Sequence, residues 1–312
     1  MPNPFSHKSV MTEAVLEALR PRPGGRYVDG TLGGGGHAAA ILAASSPSGW
    51  LCGCDRDGAA IEAAARRLEA AGFAGRFELR RGNFSEMAGW IPPASGDGVL
   101  LDLGVSSPQL DEADRGFSFQ RDGPLDMRMD LRQPLTAAEV VNSWSEVELV
   151  RIFREYGDEP QARRFARAIV QDREARRFQT TGELAALLER LAPRHGKKKH
   201  PATRVFQALR MTVNDESRSL QSGLAAAFAL LKPGGRLAVI TFHSYEDRMV
   251  KAFGREHTLD YTFPGEVDVP ELRQPRTPPL KWVQRKAILP SEKETAENSR
   301  ARSAQLRVLE KL

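Results

Sequence analysis

A glycine-rich run, Asp29-Gly30-Thr31-Leu32-Gly33-Gly34-Gly35-Gly36-His37, follows a short apolar segment and precedes an alanine-rich one. Glycine lets a ligand approach the backbone closely, and a helix beginning beyond the run offers unpaired N–H groups. Dinucleotides and S-adenosylmethionine are both held in this way. Gly34, Gly36 and Ala39 satisfy the G-x-G-x-x-G/A arithmetic of dinucleotide loops, so the loop alone does not separate the two. Asp55 stands about twenty residues further on, where a carboxylate can accept both hydroxyls of a ribose. A helix N-cap is the other use of an aspartate here, and Asp57 can supply that cap. Phe84, after Gly82-Asn83, can cover a flat adenine. Asp102 opens the segment DLGVSSPQ (102–109), which places a carboxylate where a methyl acceptor would enter. The small residues Gly104, Ser106 and Ser107 leave room for a base. A nicotinamide-dependent dehydrogenase has no evident use for this segment. His243 and Ser244 follow another apolar run, and His243 can bond a base or a phosphate or serve a structural role.

These residues need strands to end beside one another. Apolar stretches at 26–29, 50–54, 77–80 and 98–103 alternate with the helix-like AAAILAA and AAIEAAARRLEAAG, the pattern of βαβ units and a parallel sheet. The run at 98–103 is nearly unbroken, as a strand buried on both faces should be. A fifth strand is predicted at 236–242, after the helix GLAAAFALL and the turn KPGGR. Between them strand alternation stops. Thr136 with Glu139, Ser145 with Glu148, and Thr180 with Glu183 have the spacing of capping boxes at helix starts. HPATRVFQALRMTVNDE reads as another helix with Pro201 near its first turn. A sixth strand is expected in RSAQLRVLEK, with Leu306, Val308 and Leu312 on one side. The fold class is therefore α/β: a Rossmann-like, mostly parallel sheet over 1–107 and 216–312, interrupted by a helical domain over 108–215.

The chain has 312 residues, 41% of them apolar, enough for two real cores. No apolar run is long enough to span a membrane, and the first twenty residues lack the apolar stretch of a signal peptide. A cytoplasmic protein is expected. Cys52 and Cys54 point the same way on one strand without further ligands nearby, which suits buried thiols better than a metal. His195 and His200 likewise lack metal-binding partners, so no metal site is expected. Lys and Arg number 45 against 40 Asp and Glu, a formal charge of +5. The cations cluster: Arg163, Arg164, Arg167, Arg173, Arg176 and Arg177 in one stretch, Arg194, His195, Lys197, Lys198, Lys199 and His200 in another. Solvated faces and nucleic-acid contacts both fit such runs.

Seven blocks in order, DGTLGGGGH, CDRD, LLDLGVSSPQLDEADRGFSF, DGPLDMRMD, KHPATRVFQALR, GGRLAVITFHSYEDR and ENSRARSAQLRVLE, make the chain resemble the bacterial 16S rRNA cytosine-N4 methyltransferase family (RsmH, also called MraW) almost end to end. The resemblance implies a class I S-adenosylmethionine-dependent methyltransferase fold with an inserted helical domain. It implies that Gly35, Gly36, His37, Asp55, Phe84, Asp102 and Gln109 line the cofactor site. Gly34 and Tyr245 are small departures from the family pattern that remove no expected contact, and nothing is carried over to 255–290. The implied partner is 16S rRNA in the small ribosomal subunit. A homodimer is compatible with the sequence.

The chemistry that follows is in-line transfer to an exocyclic amine whose lone pair is delocalised into the ring. Asp102 is the expected acceptor for the amine N–H, with Ser106 and His243 as further catalytic candidates. An ionised carboxylate only accepts hydrogen bonds, so Asp102 would favour pyramidalisation and offset developing positive charge. The segment lacks the D/N-P-P-Y/F order of DNA amino-methyltransferases, so another ring must stack on the base. Phe117, Phe119 and Phe242 are the candidates, each also readable as core. The target base must leave its stack, and the basic inserted domain would hold the RNA. Three rivals remain at this point: another methyl acceptor, a nicotinamide-dependent oxidoreductase, and a non-catalytic RNA-binding factor.

Overall fold

A computed structural model describes residues 9–193, 200–265 and 267–312. The chain forms two compact units, Met1–Gly104 with Arg218–Leu312, and Val105–Ser217. The corresponding boundaries expected from sequence lie at 107/108 and 215/216.

The first unit begins with α1 (Thr12–Leu19), β1 (Arg26–Asp29), α2 (Gly36–Ala44), β2 (Trp50–Asp55), α3 (Gly58–Ala70), β3 (Phe77–Arg81) and β4 (Gly96–Asp102). The second unit supplies α4 (Ser107–Asp111), α5 (Ala137–Ser143), α6 (Glu146–Glu155), α7 (Ala162–Ala175), α8 (Thr181–Leu191) and α9 (Ala202–Val213). Then come α10 (Glu216–Leu230), β5 (Leu231–Thr241), α11 (Ser244–Thr258), β6 (Tyr261–Thr262), β7 (Gln274–Pro275), β8 (Leu280–Trp282), α12 (Glu292–Glu297) and β9 (Gln305–Lys311).

The main sheet runs β3-β2-β1-β4-β5-β9-β8, with β6 and β7 forming a separate ribbon. The first five strands are parallel, while β9 is antiparallel to both β5 and β8. Chain order reverses between β1 and β4, so a crevice opens at the carboxyl ends of these strands.

In β1, β2, β4 and β5 alternation is real but hidden, because both faces are covered, whereas the edge strand β3 shows it openly, with Glu78 and Arg80 exposed. Tyr27, Leu51, Leu100, Ala238 and Ile240 pack with Val15, Leu19, Ile41, Leu42 and Leu68 on one face. Val28, Cys52, Val99, Leu101, Leu237 and Val239 pack with Leu220, Leu224 and Val250 on the other. Covering both faces removes each strand's apolar surface from water at roughly 25 cal/mol per Å². In β9, Leu306 and Val308 join the first face and Leu309 the second. Leu312 does not continue the Leu306 side as expected: it lies beyond the strand and is half exposed.

The second unit is helical, with one core built from Val140, Leu149, Phe153, Phe165, Leu184, Phe206 and their neighbours. Ser145 and Thr180 form full capping boxes with Glu148 and Glu183. Thr136 caps the Glu139 N–H at 3.1 Å, but the Glu139 carboxylate instead accepts from Ser143 Oγ at 2.9 Å, so the third box is half made. Asn214, buried after α9, accepts from Met129 N–H at 2.7 Å and donates to Met127 O at 2.8 Å. These bonds clamp the DGPLDMRMD turn.

Among the described residues, no helix is long and apolar enough to cross a membrane. The basic run Arg194, His195, Lys197, Lys198 and Lys199 lies outside the described residues.

Candidate active site

Three parallel strands of the first unit each end in an aspartate: Asp29 on β1, Asp55 on β2 and Asp102 on β4. The parallel register brings all three to the same edge of the sheet. Gly30 N–H donates to Leu100 O at 2.9 Å, and the Asp102 N–H donates to Thr31 Oγ1 at 2.6 Å. Thr31 thus ties the glycine loop to the end of β4.

The loop itself is held from outside. Gly33 and Gly35 have φ of +49° and +74°, a region that side chains strain to adopt. A Cβ on Gly35 would sit 3.0 Å from Ala64 of α3, whereas one on Gly33 would meet nothing within 4 Å. Gly35 is therefore close-packed and Gly33 faces open space. Arg67 on α3 donates to Gly34 O at 3.0 Å. No side chain caps the N-terminus of α2. Its first N–H groups and positive dipole end are available to an anionic group.

Asp55 accepts from the N–H of Gly33 at 2.8 Å and of Asp57 at 2.9 Å. Each oxygen keeps a second acceptor position. Burial raises the Asp55 carboxyl above its ordinary value, against these two N–H bonds. The N-cap of α3 is Asp57, which accepts from Ala59 N–H at 3.0 Å, so Asp55 is not consumed as a cap.

Buried Asp29 and His37 form a charge cluster with the partly buried Asp102. His37 Nε2 lies 3.4 Å from Asp102 Oδ2, within charge attraction but not aligned as a hydrogen bond. Burial disfavours the imidazolium, yet Asp102 and then Asp29 outweigh it, and the His37 pKa is raised. Burial pushes Asp29 up to about 6, opposed by His37 and by the Thr31 N–H. Among the described residues, Asp29 Oδ2, Asp102 Oδ1 and both His37 ring nitrogens are buried without a hydrogen-bond partner. Buried polar groups are normally paired, so such a concentration marks a place that a ligand completes.

Phe84 packs its ring on α10: a Cβ at Gly223 would fall 2.3 Å from it. It sits after Asn83, whose Nδ2 donates to Ser219 Oγ at 2.9 Å, a hydroxyl that Arg56 also reaches. His243 follows β5, with Nε2 2.9 Å from Glu246 Oε1, and the other Glu246 oxygen accepts from Phe242 N–H at 2.9 Å. Thr31, Arg67, Gly223 and Glu246 were not singled out from sequence; only spatial neighbours reveal them.

Ser106 and Gln109 belong to the second unit. They form a capping box at α4, where Gln109 Oε1 accepts from Ser106 N–H at 3.0 Å. Phe117 is core in that unit, and Phe119 packs against His200 and Phe206 at ring separations of 4.5 and 4.9 Å. Phe242 is half-buried beside Gly104 in the first unit. The arginine stretch also divides. Arg173 donates to Val141 O and Trp144 O at 2.8 and 2.7 Å, closing the end of α5, and Arg176 pairs with Glu183. The thiols of Cys52 and Cys54 are buried and their pKa values raised, that of Cys52 to about 11, which makes them inert.

An antiparallel strand slotted between β5 and β8 departs from the all-parallel order of dinucleotide-binding sheets, while the glycine loop and the Asp55 carboxylate remain. This combination defines a class I S-adenosylmethionine-dependent methyltransferase. The chain belongs to the MraW methylase family, whose model matches residues 4–312. It is 52% identical over 313 residues to the ribosomal RNA small subunit methyltransferase H of Syntrophotalea carbinolica, covering 99% of this chain and 98% of that one. The enzymes of that name from Geobacter sulfurreducens and Symbiobacterium thermophilum are 51% and 47% identical, each over 99% of this chain and over 99% and 97% of their own.

Proposed function

We propose that the protein methylates the exocyclic N4 amine of a cytidine in the 16S rRNA of the small ribosomal subunit, in the cytoplasm. The observation that carries the site is Asp102 Oδ1: buried, without a hydrogen-bond partner among the described residues, and at the carboxyl end of β4. The unpartnered groups and the open face of Gly33 fit S-adenosylmethionine. When bound, that cofactor supplies a methyl group activated by its sulfonium. Gly35, Gly36 and the first turn of α2, with His37, would hold its carboxylate end, Asp55 its ribose and Phe84 its adenine.

Asp102 accepts a hydrogen bond from the amine N–H, offsets the positive charge that grows on nitrogen, and is placed to pass to solvent the proton that the methylated amine sheds. His37 lies 3.4 Å from that carboxylate's other oxygen and attracts it. Thr31 fixes the backbone beneath it. Positioning and electrostatics carry the reaction, so no strong base is required. Glu246 orients His243 to meet the base or a neighbouring phosphate. The helical unit is the substrate-recognition part of this proposal, and the names of the relatives support rRNA as its partner.

The test is transfer of labelled methyl to small subunits that lack the modification, with mass mapping of the product and Asp102→Asn, Ser106→Ala, Gln109→Ala and His243→Ala run beside wild type. N4-methylcytidine at one site, lost with Asp102→Asn, supports function and mechanism. Methyl transfer undiminished by Asp102→Asn removes Asp102 from the chemistry. A protein that binds S-adenosylhomocysteine but methylates no subunit RNA overturns the substrate.

A further inference from the structure

The outer faces of α6 and α7 enclose a groove of about 830 Å³ that none of the residues discussed above explains. Both helices bury one face in the core of their unit, α6 through Leu149, Ile152 and Phe153 and α7 through Phe165, Ala166 and Ile169. What remains is regular. Val147, Val150, Arg151 and Arg154 fall at i, i+3, i+4 and i+7 along α6, and Arg163 and Arg167 at i and i+4 along α7, so two stripes line the groove.

Val147 is 78% exposed, the most exposed large apolar side chain among the described residues. The four arginines outnumber Glu146 and Glu155, the two acids of the lining. Arg151 leans to Glu155 at 3.2 Å and Arg167 to Glu146 at 3.8 Å. Arg154 and Arg163 have no carboxylate partner among the described residues. The capping box of Ser145 and Glu148 fixes where α6 begins, so the stripe is presented by a rigid helix.

We propose that this groove binds a single strand of the substrate RNA, with guanidinium groups on successive phosphates and the valines against a ribose or base face. The inference rests on the RNA substrate proposed above. Arginine suits the role better than a general positive field would require, because its planar fork pairs with a phosphate through two N–H donors. Residues at i, i+3 and i+4 lie about 5–6 Å apart, comparable to neighbouring phosphates on one strand. An acidic peptide or a second copy of this chain would meet the same charge, but neither would call for cations in register.

The test is the Arg154→Glu/Arg163→Glu double variant beside Arg154→Lys/Arg163→Lys. Binding is read by fluorescence anisotropy on unmodified 16S RNA across a salt series, and on whole small subunits. Expected is a loss of RNA affinity of about tenfold or more for the glutamate variant, with the salt slope reduced by about two, and partial retention by the lysine variant. Circular dichroism and unchanged binding of S-adenosylhomocysteine check that the chain is folded. RNA affinity and salt slope equal to wild type overturn the proposal. So does loss of binding to subunits with naked RNA binding intact, which assigns the groove to a subunit protein. So does loss of a concentration-dependent dimer with RNA affinity unchanged, which assigns it to a second copy. If the wild type binds 16S RNA through these arginines but methylates no subunit, the groove stands and the methyl acceptor proposed above is what fails. If wild type binds neither naked 16S RNA nor small subunits, both fail.

Discussion

At the scale of single residues, the site is a problem of buried charge. Asp102 and Asn have nearly the same shape, so Asp102→Asn removes charge and little else. We expect kcat to fall by roughly 10²-fold or more, the size of losing one well-placed electrostatic contact, with S-adenosylhomocysteine affinity changed far less. A fall in affinity equal to the fall in kcat would make Asp102 a cofactor ligand rather than an acceptor for the amine. Asp29 gives a pH signature. Its folded value of about 6 lies above the ordinary 3.8, so between these values the folded chain holds more protons than the unfolded one. Stability from this group is complete below 3.8 and lost as pH rises through 6, a difference of roughly 3 kcal/mol. Asp29→Asn cannot ionise, so its stability relative to wild type should improve between pH 4 and pH 7 in urea unfolding. A constant gap across that range would mean that Asp29 titrates normally. The residue types of this cluster were legible: a glycine loop, Asp55 and Asp102 stand out by spacing. Asp29 as a titrating group and Thr31 Oγ1 as the acceptor for the Asp102 N–H were not, because burial decides the first and the β1–β4 register the second.

At the scale of elements, close approach of backbone and ring matters most. Gly223 lets α10 lie on Phe84, and a Cβ there would come within 2.3 Å of the ring. Gly223→Ala should destabilise by about 1–3 kcal/mol through overpacking, and should weaken S-adenosylhomocysteine binding by displacing Phe84. Calorimetric titration of the folded variant with unaltered affinity would free Phe84 from the adenine role. The caps behave more simply. Ser145→Ala should lower stability by about 1 kcal/mol, measured by chemical denaturation, because it removes one half of a capping box from α6. Capping boxes were readable because they are local in sequence. The half-made box at Thr136 was not, because Glu139 has a competing partner one turn away in Ser143.

At the scale of the whole molecule, ligand binding should be confined to the first unit's strand ends. S-adenosylhomocysteine at about 100 times its Kd should add roughly 2.7 kcal/mol to stability. Hydrogen exchange should slow at 29–37, 55–57 and 100–104, with α6 and α7 unaffected. Protection that centres on the helical unit would misplace the cofactor. The sequence by itself determined the alternation of strands and helices, the loss of that alternation after the fourth strand, the glycine loop and the family. All of these are written in local composition and short spacings, which survive without knowing which element lies beside which. Tertiary structure alone decided that three aspartates from distant strands share one edge, that His37 faces Asp102, and that Arg173 closes a helix while Arg154 and Arg163 line a groove. The reason is that desolvation and charge attraction depend on separations in space, and no spacing along the chain encodes them directly.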